Sequence, residues 1–170
     1  MLFTAHSSFD DIKGKIVADL GCGIAASFLE AGHVIGFDID SSALDIAREN
    51  IAEAECENVD LVLADLADFE NVPARLCRIA DTVVMNPPFG TRLKGIDMLF
   101  LKIACQMSRR AVYSLHKTST REYVVGKVKG WGWDVEVIAE MKFDIKAMYK
   151  FHKKKSMDIG VDLIRLSHGM

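Results

Sequence analysis

The chain has 170 residues, half of them hydrophobic and 26% charged, with a formal net charge of −3. That size suits one compact domain with a real core, and the negative balance excludes a polycation that holds nucleic acid by overall charge. No apolar run approaches the ~20 residues a membrane-spanning helix needs, and the start, MLFTAHSSFDD, lacks the basic region of a secretory leader.

Two kinds of segment alternate along the chain. KIVADLG (15–21), HVIGFDID (33–40), VDLVLAD (59–65), IADTVVMN (79–86) and RAVYSL (110–115) are short runs rich in Val, Ile and Leu. Such runs suit strands buried on both faces of a parallel sheet. Between them, residues 41–55 read as a helix capped by Ser41 or Ser42, with Leu44, Ala47, Ile51 and Ala54 at helical spacing. Residues 95–108 and 119–131 read as two more helices. WDVEVIAEMKF (133–143) and VDLIRLS (161–167) are strands with no clear helix between them. The pattern predicts one α/β domain over 1–170 with a mainly parallel sheet and a terminal strand pair. Cys22, Cys56, Cys77 and Cys105 lack metal-type spacing and read as reduced thiols of an intracellular protein.

Three strand ends carry acids. In VADLGCG, Gly21 and Gly23 permit a tight turn and close backbone approach, and Asp19 orients that turn or meets a ligand amine. A lone GxG is equally a structural turn. In GFDID, Asp38 ends the apolar run where a carboxylate grips both hydroxyls of an adenosyl ribose, while Asp40 suits a helix cap. In LADLAD, Asp65 can accept from an adenine amine and Leu66 can flank the ring; the plain alternative is a turn or cap. Acids at three consecutive strand ends together describe a nucleoside site.

The fourth strand ends in VVMNPPFG. The side-chain oxygen of Asn86 can accept from an exocyclic amine. Pro87 and Pro88 fix φ and remove N–H donors, which leaves the Pro87 carbonyl as a second acceptor. Phe89 offers a face on which a planar base stacks. Strand punctuation is the plain alternative; with the acids upstream, the tetrapeptide reads as a holder for an aromatic amine under attack-ready geometry. A basic face is available in Arg109, Arg110, His116, Lys117, Arg121, Lys127 and Lys129. The stretch Tyr149, Lys150, Phe151, His152, Lys153, Lys154, Lys155 is denser still, and its interleaved aromatics favour nucleic acid over a solvated loop. Neither His116 nor His152 has a carboxylate partner that the sequence can place, and neither reads as catalytic.

The ordered motifs DLGCG, GFDID, MNPPFGT, AVYSLHK, YKFHKKK and VDLIR resemble the eukaryotic methyltransferase-like protein five family from Met1 to about Ser167. The resemblance implies a class I S-adenosylmethionine-dependent, Rossmann-like three-layer sandwich with a seven-stranded sheet and a C-terminal antiparallel hairpin. It implies N6-methylation of one adenosine in small-subunit ribosomal RNA, in nucleus and cytoplasm. It also implies an obligate small zinc-binding partner, the tRNA-methyltransferase activator subunit. Gly21, Asp38, Asp65 and Asn86 fall on cofactor-contact positions, and Asn86, Pro87, Pro88 and Phe89 on the catalytic tetrapeptide. Other acceptors share related tetrapeptides: other RNAs, DNA adenine and a protein glutamine. The stretch FTAHSSFDDIKG near the start is a candidate partner surface.

Two departures from that family bear on activity. The sequence begins after the family's N-terminal helical arm, and its glycine loop is about five residues short. Twelve residues, Gly21 to Gly32, separate the first two strands. That is near the ~10–12 residue minimum of a parallel crossover. The gap supports a different expectation, a variant that binds partner or RNA without transferring methyl.

Overall fold

The computed structural model describes residues 1–21, 30–69, 72–88, 95–146 and 156–168. Its strands are β1 (Ile16–Leu20), β2 (His33–Asp38), β3 (Val59–Leu63), β4 (Ala80–Met85), β5 (Ser108–Lys117), β6 (Trp133–Lys146) and β7 (Ser156–His168). They form a seven-stranded sheet in the order β3-β2-β1-β4-β5-β7-β6. The first five strands are parallel, and β7 runs antiparallel to both β5 and β6. The expected mainly parallel sheet with a terminal hairpin is therefore present.

Burial explains the central order. Val17, Ala18 and Leu20 of β1 and Val83, Val84 and Met85 of β4 are buried. Side chains alternate along a strand, so these positions need cover on both faces. On one face Ala18, Leu20, Val83, Met85, Val112 and Ile164 pack with helix α3 (Ile96–Met107) and helix α4 (Arg121–Gly130). On the other, Val17, Val84, Ala111 and Tyr113 pack with Ala5 and Ile12 from the start of the chain.

The helix read over 41–55 is α2 (Ser41–Glu53); of the cap candidates Asp40, Ser41 and Ser42, its N-cap is Asp40, whose carboxylate accepts from the Ser42 amide at 2.9 Å. A carboxylate at that position satisfies an orphan N–H and complements the helix dipole, which displaces both serines. Only Leu44 and Ala47 of the expected stripe are buried, because β3 at the sheet edge is short. The first residues, Leu2–Ser7, form helix α1; within FTAHSSFDDIKG, Ala5, Asp11 and Ile12 are buried while Phe3, Ser7, Ser8, Asp10, Lys13 and Gly14 are exposed, so the stretch has both a core side and an outward side.

The start of β2 is clamped to the segment before β1. Lys13 bridges Ala31, the Gly14 amide donates to the Glu30 carbonyl at 2.8 Å, and the Gly32 amide donates to the Lys15 carbonyl at 2.9 Å. A side chain at Gly32 would meet the Gly14 carbonyl oxygen at 2.9 Å. Backbone cannot yield as a flexible side chain can, so glycine is required there.

Candidate functional site

Strand register aligns the carboxyl ends of β2, β1 and β4. Leu20 lies opposite both Phe37 and Met85, so the next residues, Asp38, Gly21 and Asn86, stand side by side at one edge. Strands lie about 4.8 Å apart, so the edge from Asp38 to Asn86 spans roughly 10 Å. Open parallel sheets bind ligands at this edge, where strand order reverses between β1 and β4.

A cavity of about 60 Å³ opens here, lined by Gly21, Phe37, Asp38, Ile39, Ala64, Asp65, Leu66 and Phe100. Four predicted site residues, Gly21, Asp38, Asp65 and Leu66, therefore meet in one place. Gly21 has φ +77°, and its amide donates to the Phe37 carbonyl at 2.8 Å. The space where its side chain would lie is open. Its glycine serves the left-handed turn, and clearance for a ligand follows from that turn.

Asp38 Oδ1 accepts from the Asp40 amide, and Asp65 Oδ1 accepts from the Ala67 amide, each through a two-residue turn. Asp65 thus caps the 3-10 turn Leu66–Asp68, as the plain reading held, and still faces the cavity. The cap fixes the carboxylate rather than consuming it, because a carboxylate has about four acceptor positions. Leu66 is buried beside it.

Asp19, on β1 between Gly36 and Val84, is pushed up to about 7 by burial, with the Asp38 carboxylate adding to the effect. A cationic ligand group beside these two acids would relieve both causes. Two carboxylates at the strand ends, an apolar slot for a flat ring and a half-buried acid for an amine together fit an adenosyl amino acid.

Asn86 is exposed immediately after β4, Pro87 is buried and Pro88 exposed. Burial of Pro87 fixes the tetrapeptide's stem while Asn86 faces outward. Gly23, Phe89 and the run Tyr149, Lys150, Phe151, His152, Lys153, Lys154, Lys155 lie outside the described residues.

A family profile described as a methyltransferase domain matches residues 11–120. The chain is 52% identical to the rRNA N(6)-adenosine-methyltransferase METTL5 of Danio rerio, over 98% of this chain and 82% of that one. It belongs to the rRNA N6-adenosine-methyltransferase family. The Drosophila melanogaster member is 47% identical over 96% of this chain and 79% of its own. A crystal structure of a candidate RNA methyltransferase from Pyrococcus horikoshii superposes with a TM-score of 0.81 at 34% identity, covering 99% of this chain and 81% of that one.

Two expectations about this family member are corrected by geometry. The arginines of the expected basic face are partnered, while Lys117, Lys127 and Lys129 carry no ion pair among the described residues. Arg121 donates to Asp162 and Glu140, Arg110 approaches Asp11, Arg109 donates to the Arg78 carbonyl and pairs with Asp81, and His116 is buried. His116 also has an acid beside it, with Nδ1 3.6 Å from Asp97 Oδ2. Sequence reasoning missed Asp97 and Phe100 because both arrive on α3 from a distant part of the chain; an apolar helix with one early acid gave no other signal.

Among the described residues Cys56, Cys77 and Cys105 are free thiols, as expected, and burial pushes Cys105 up to about 12. No described helix is long and apolar enough to cross a membrane, and no described cluster of His, Cys, Asp and Glu suits a metal.

Proposed function

We propose that the chain methylates N6 of an adenosine in small-subunit ribosomal RNA, with S-adenosylmethionine as donor. The observation that carries this reading is the edge where Gly21, Asp38, Asp65 and Leu66 line one cavity and Asn86 stands one strand beyond Gly21. S-adenosylmethionine, when bound, supplies an electrophilic methyl group on a sulfonium.

The chain's own residues do the rest. Asp38 accepts from the ribose hydroxyls, Asp65 and Leu66 hold the base, and Asp19 with Gly21 and Gly23 receives the amino-acid end. Asn86 Oδ1 and the Pro87 carbonyl accept from the two N6 hydrogens of the flipped-out adenine, which aims the nitrogen lone pair at the methyl carbon. Pro88 stiffens the segment and Phe89 stacks on the base. With the donor held there, N6 would take the methyl as the thioether leaves, and the surplus N6 proton would pass to water. Tyr149, Lys150, Phe151, His152, Lys153, Lys154 and Lys155 hold phosphates and bases of the RNA, giving affinity more than sequence choice.

The small zinc-binding activator subunit belongs to this reading, as does residence in nucleus and cytoplasm, where ribosomal RNA is made and used. The edge strand β3 supports a docked partner, because its last residue, Leu63, and Ile39, which follows the register partner Asp38, are more than 60% exposed.

Asn86→Ala, assayed with the activator subunit and ribosomal RNA, is expected to lower transfer about a hundredfold or more while cofactor affinity stays within a few-fold. Unchanged methylation would overturn the role of Asn86. Label from tritiated cofactor in protein instead of RNA would overturn the acceptor. Absence of saturable cofactor binding by the parent chain, with and without the subunit, would favour a binding module.

A further inference from the structure

The carboxyl end of β5 carries a buried polar cluster that the proposed chemistry does not use. Met85, the residue before Asn86, lies opposite Ser114, and His116 is two residues further along the same face, the one covered by α3. Ser114 is fully buried and His116 is 2% exposed. His116 Nε2 lies 2.9 Å from Ser114 Oγ, while its Nδ1 is buried without a hydrogen bond, 3.6 Å from Asp97 Oδ2. Ser, His and Asp in this order invite a hydrolytic reading, but a serine with no exposure cannot meet a substrate.

The other charged groups facing His116 are already committed. Asp162, its register partner on β7, accepts from Arg121 Nε at 2.6 Å, from Arg121 Nη2 at 2.7 Å and from Thr118 Oγ1 at 2.8 Å. Arg121 in turn binds Glu140. Lys117, the next residue of β5, points to the opposite face. That leaves the Asp97 carboxylate opposite the orphan nitrogen. A lone pair on Nδ1 would face an acid across 3.6 Å, so the favoured tautomer has its proton on Nδ1 and accepts the Ser114 hydroxyl at Nε2.

We propose that His116 is a positioning residue for methyl transfer, holding Asp97 through Nδ1–H and thereby fixing the far end of the segment that leaves β4 at Asn86. Asp97 is in the first turn of α3, whose N-cap is Gly95 at φ +84°. Asn86 to Pro88 form one end of the segment and Gly95 to Asp97 the other. Phe100, three residues beyond Asp97 and so on the same side of the helix, lines the nucleoside cavity. Closing the contact from 3.6 Å to a usual ~2.9 Å needs a shift of about 0.7 Å at the head of α3.

This inference rests on the methyltransferase reading, and its test separates the two. His116→Gln removes the Nδ1 donor, His116→Asn keeps a donor near that position, and Asp97→Ala removes the acceptor. His116→Gln and Asp97→Ala are expected to lower kcat about tenfold, with KM for S-adenosylmethionine and the melting temperature nearly unchanged. His116→Asn should recover most of the loss, and the Gln/Ala double variant should be no slower than either single one. Long-range 15N–1H spectra of the imidazole, which need no turnover, should show the proton on Nδ1 in the parent and on Nε2 in Asp97→Ala. A parent ring protonated on Nε2, full kcat in His116→Gln, or a loss that merely tracks melting would overturn the proposal. If the parent transfers no methyl, the methyltransferase reading fails, and the ring spectrum still decides the pairing.

Discussion

Asp19 is where pH acts most directly on the site. Its carboxyl is pushed up to about 7 by burial first and by Asp38 second. An unfolded aspartate ionises near 4, so between about pH 4 and pH 7 the unfolded chain has released a proton the folded chain still holds. Stability from this group is full below pH 4 and lost as pH rises through 7, at about 1.4 kcal/mol per unit of separation. Asp19→Asn in the cofactor-free protein should therefore raise the melting temperature at pH 8 and have much less effect at pH 4.5. Equal shifts at both pH values would contradict the burial argument. Cofactor binding should weaken in the same variant, because the acid is aimed at an amine. The three strand-end acids were legible because each closes an apolar run in its own segment. Asp97 was not, since its meaning comes from His116 on another element. The same holds for the supposed basic face: Arg121 looks free in sequence and is bound by Asp162, whose carboxyl that pairing holds below its usual range.

The β6–β7 hairpin decides where RNA can meet the site. β5 pairs with β7 as far as Lys117 opposite Val161. The hairpin continues past that point from Lys142 opposite Gly160 to Lys146 opposite Ser156. Those five rungs extend about 17 Å beyond β5 at the edge that carries Asn86. The described hairpin therefore ends, at Lys146 and Ser156, on the side of the sheet that carries Asn86. Replacing Lys153, Lys154 and Lys155 with Ala should lower RNA affinity and flatten the slope of log K against log salt by about 2, at roughly 0.7 per lost phosphate contact on single strands. Fluorescence anisotropy across 50–200 mM salt measures it; an unchanged slope would remove the segment from the RNA interface. Strand pairing of 142–146 with 156–160 was only partly legible, because apolar patterning stops near Phe143 while the ladder runs on.

Over the whole molecule, one buried cluster ties the start of the chain to its last strand. Asp11 is 1% exposed and accepts from Arg165 Nε and from the Tyr113 hydroxyl. Arg165 lies over the rings of Phe9 and Tyr113, and the Asp11 carbonyl accepts from Thr82 on β4. Removing one partner strands a buried charge, which costs about 3–5 kcal/mol. Arg165→Met should thus lower the melting temperature by roughly 6–20 °C, at about 2–4 °C per kcal/mol for a chain of this size. Adding Asp11→Leu should recover part of the loss in thermal melting. A neutral Arg165→Met would mean that Arg110, 3.9 Å from Asp11, takes over the pairing.

The sequence by itself determined the alternation of strands and helices, the acids that end three strands and the NPPF tetrapeptide, because each is written in neighbouring residues obeying local rules of period, capping and turn chemistry. Only the tertiary structure decided that Asp38, Asp65, Leu66 and Phe100 share one cavity, that Ala5 and Ile12 join the core, and that His116 faces Asp97. Those facts depend on strand order and on which helix covers which face. Burial and charge pairing between distant segments fix both, and no local pattern encodes them.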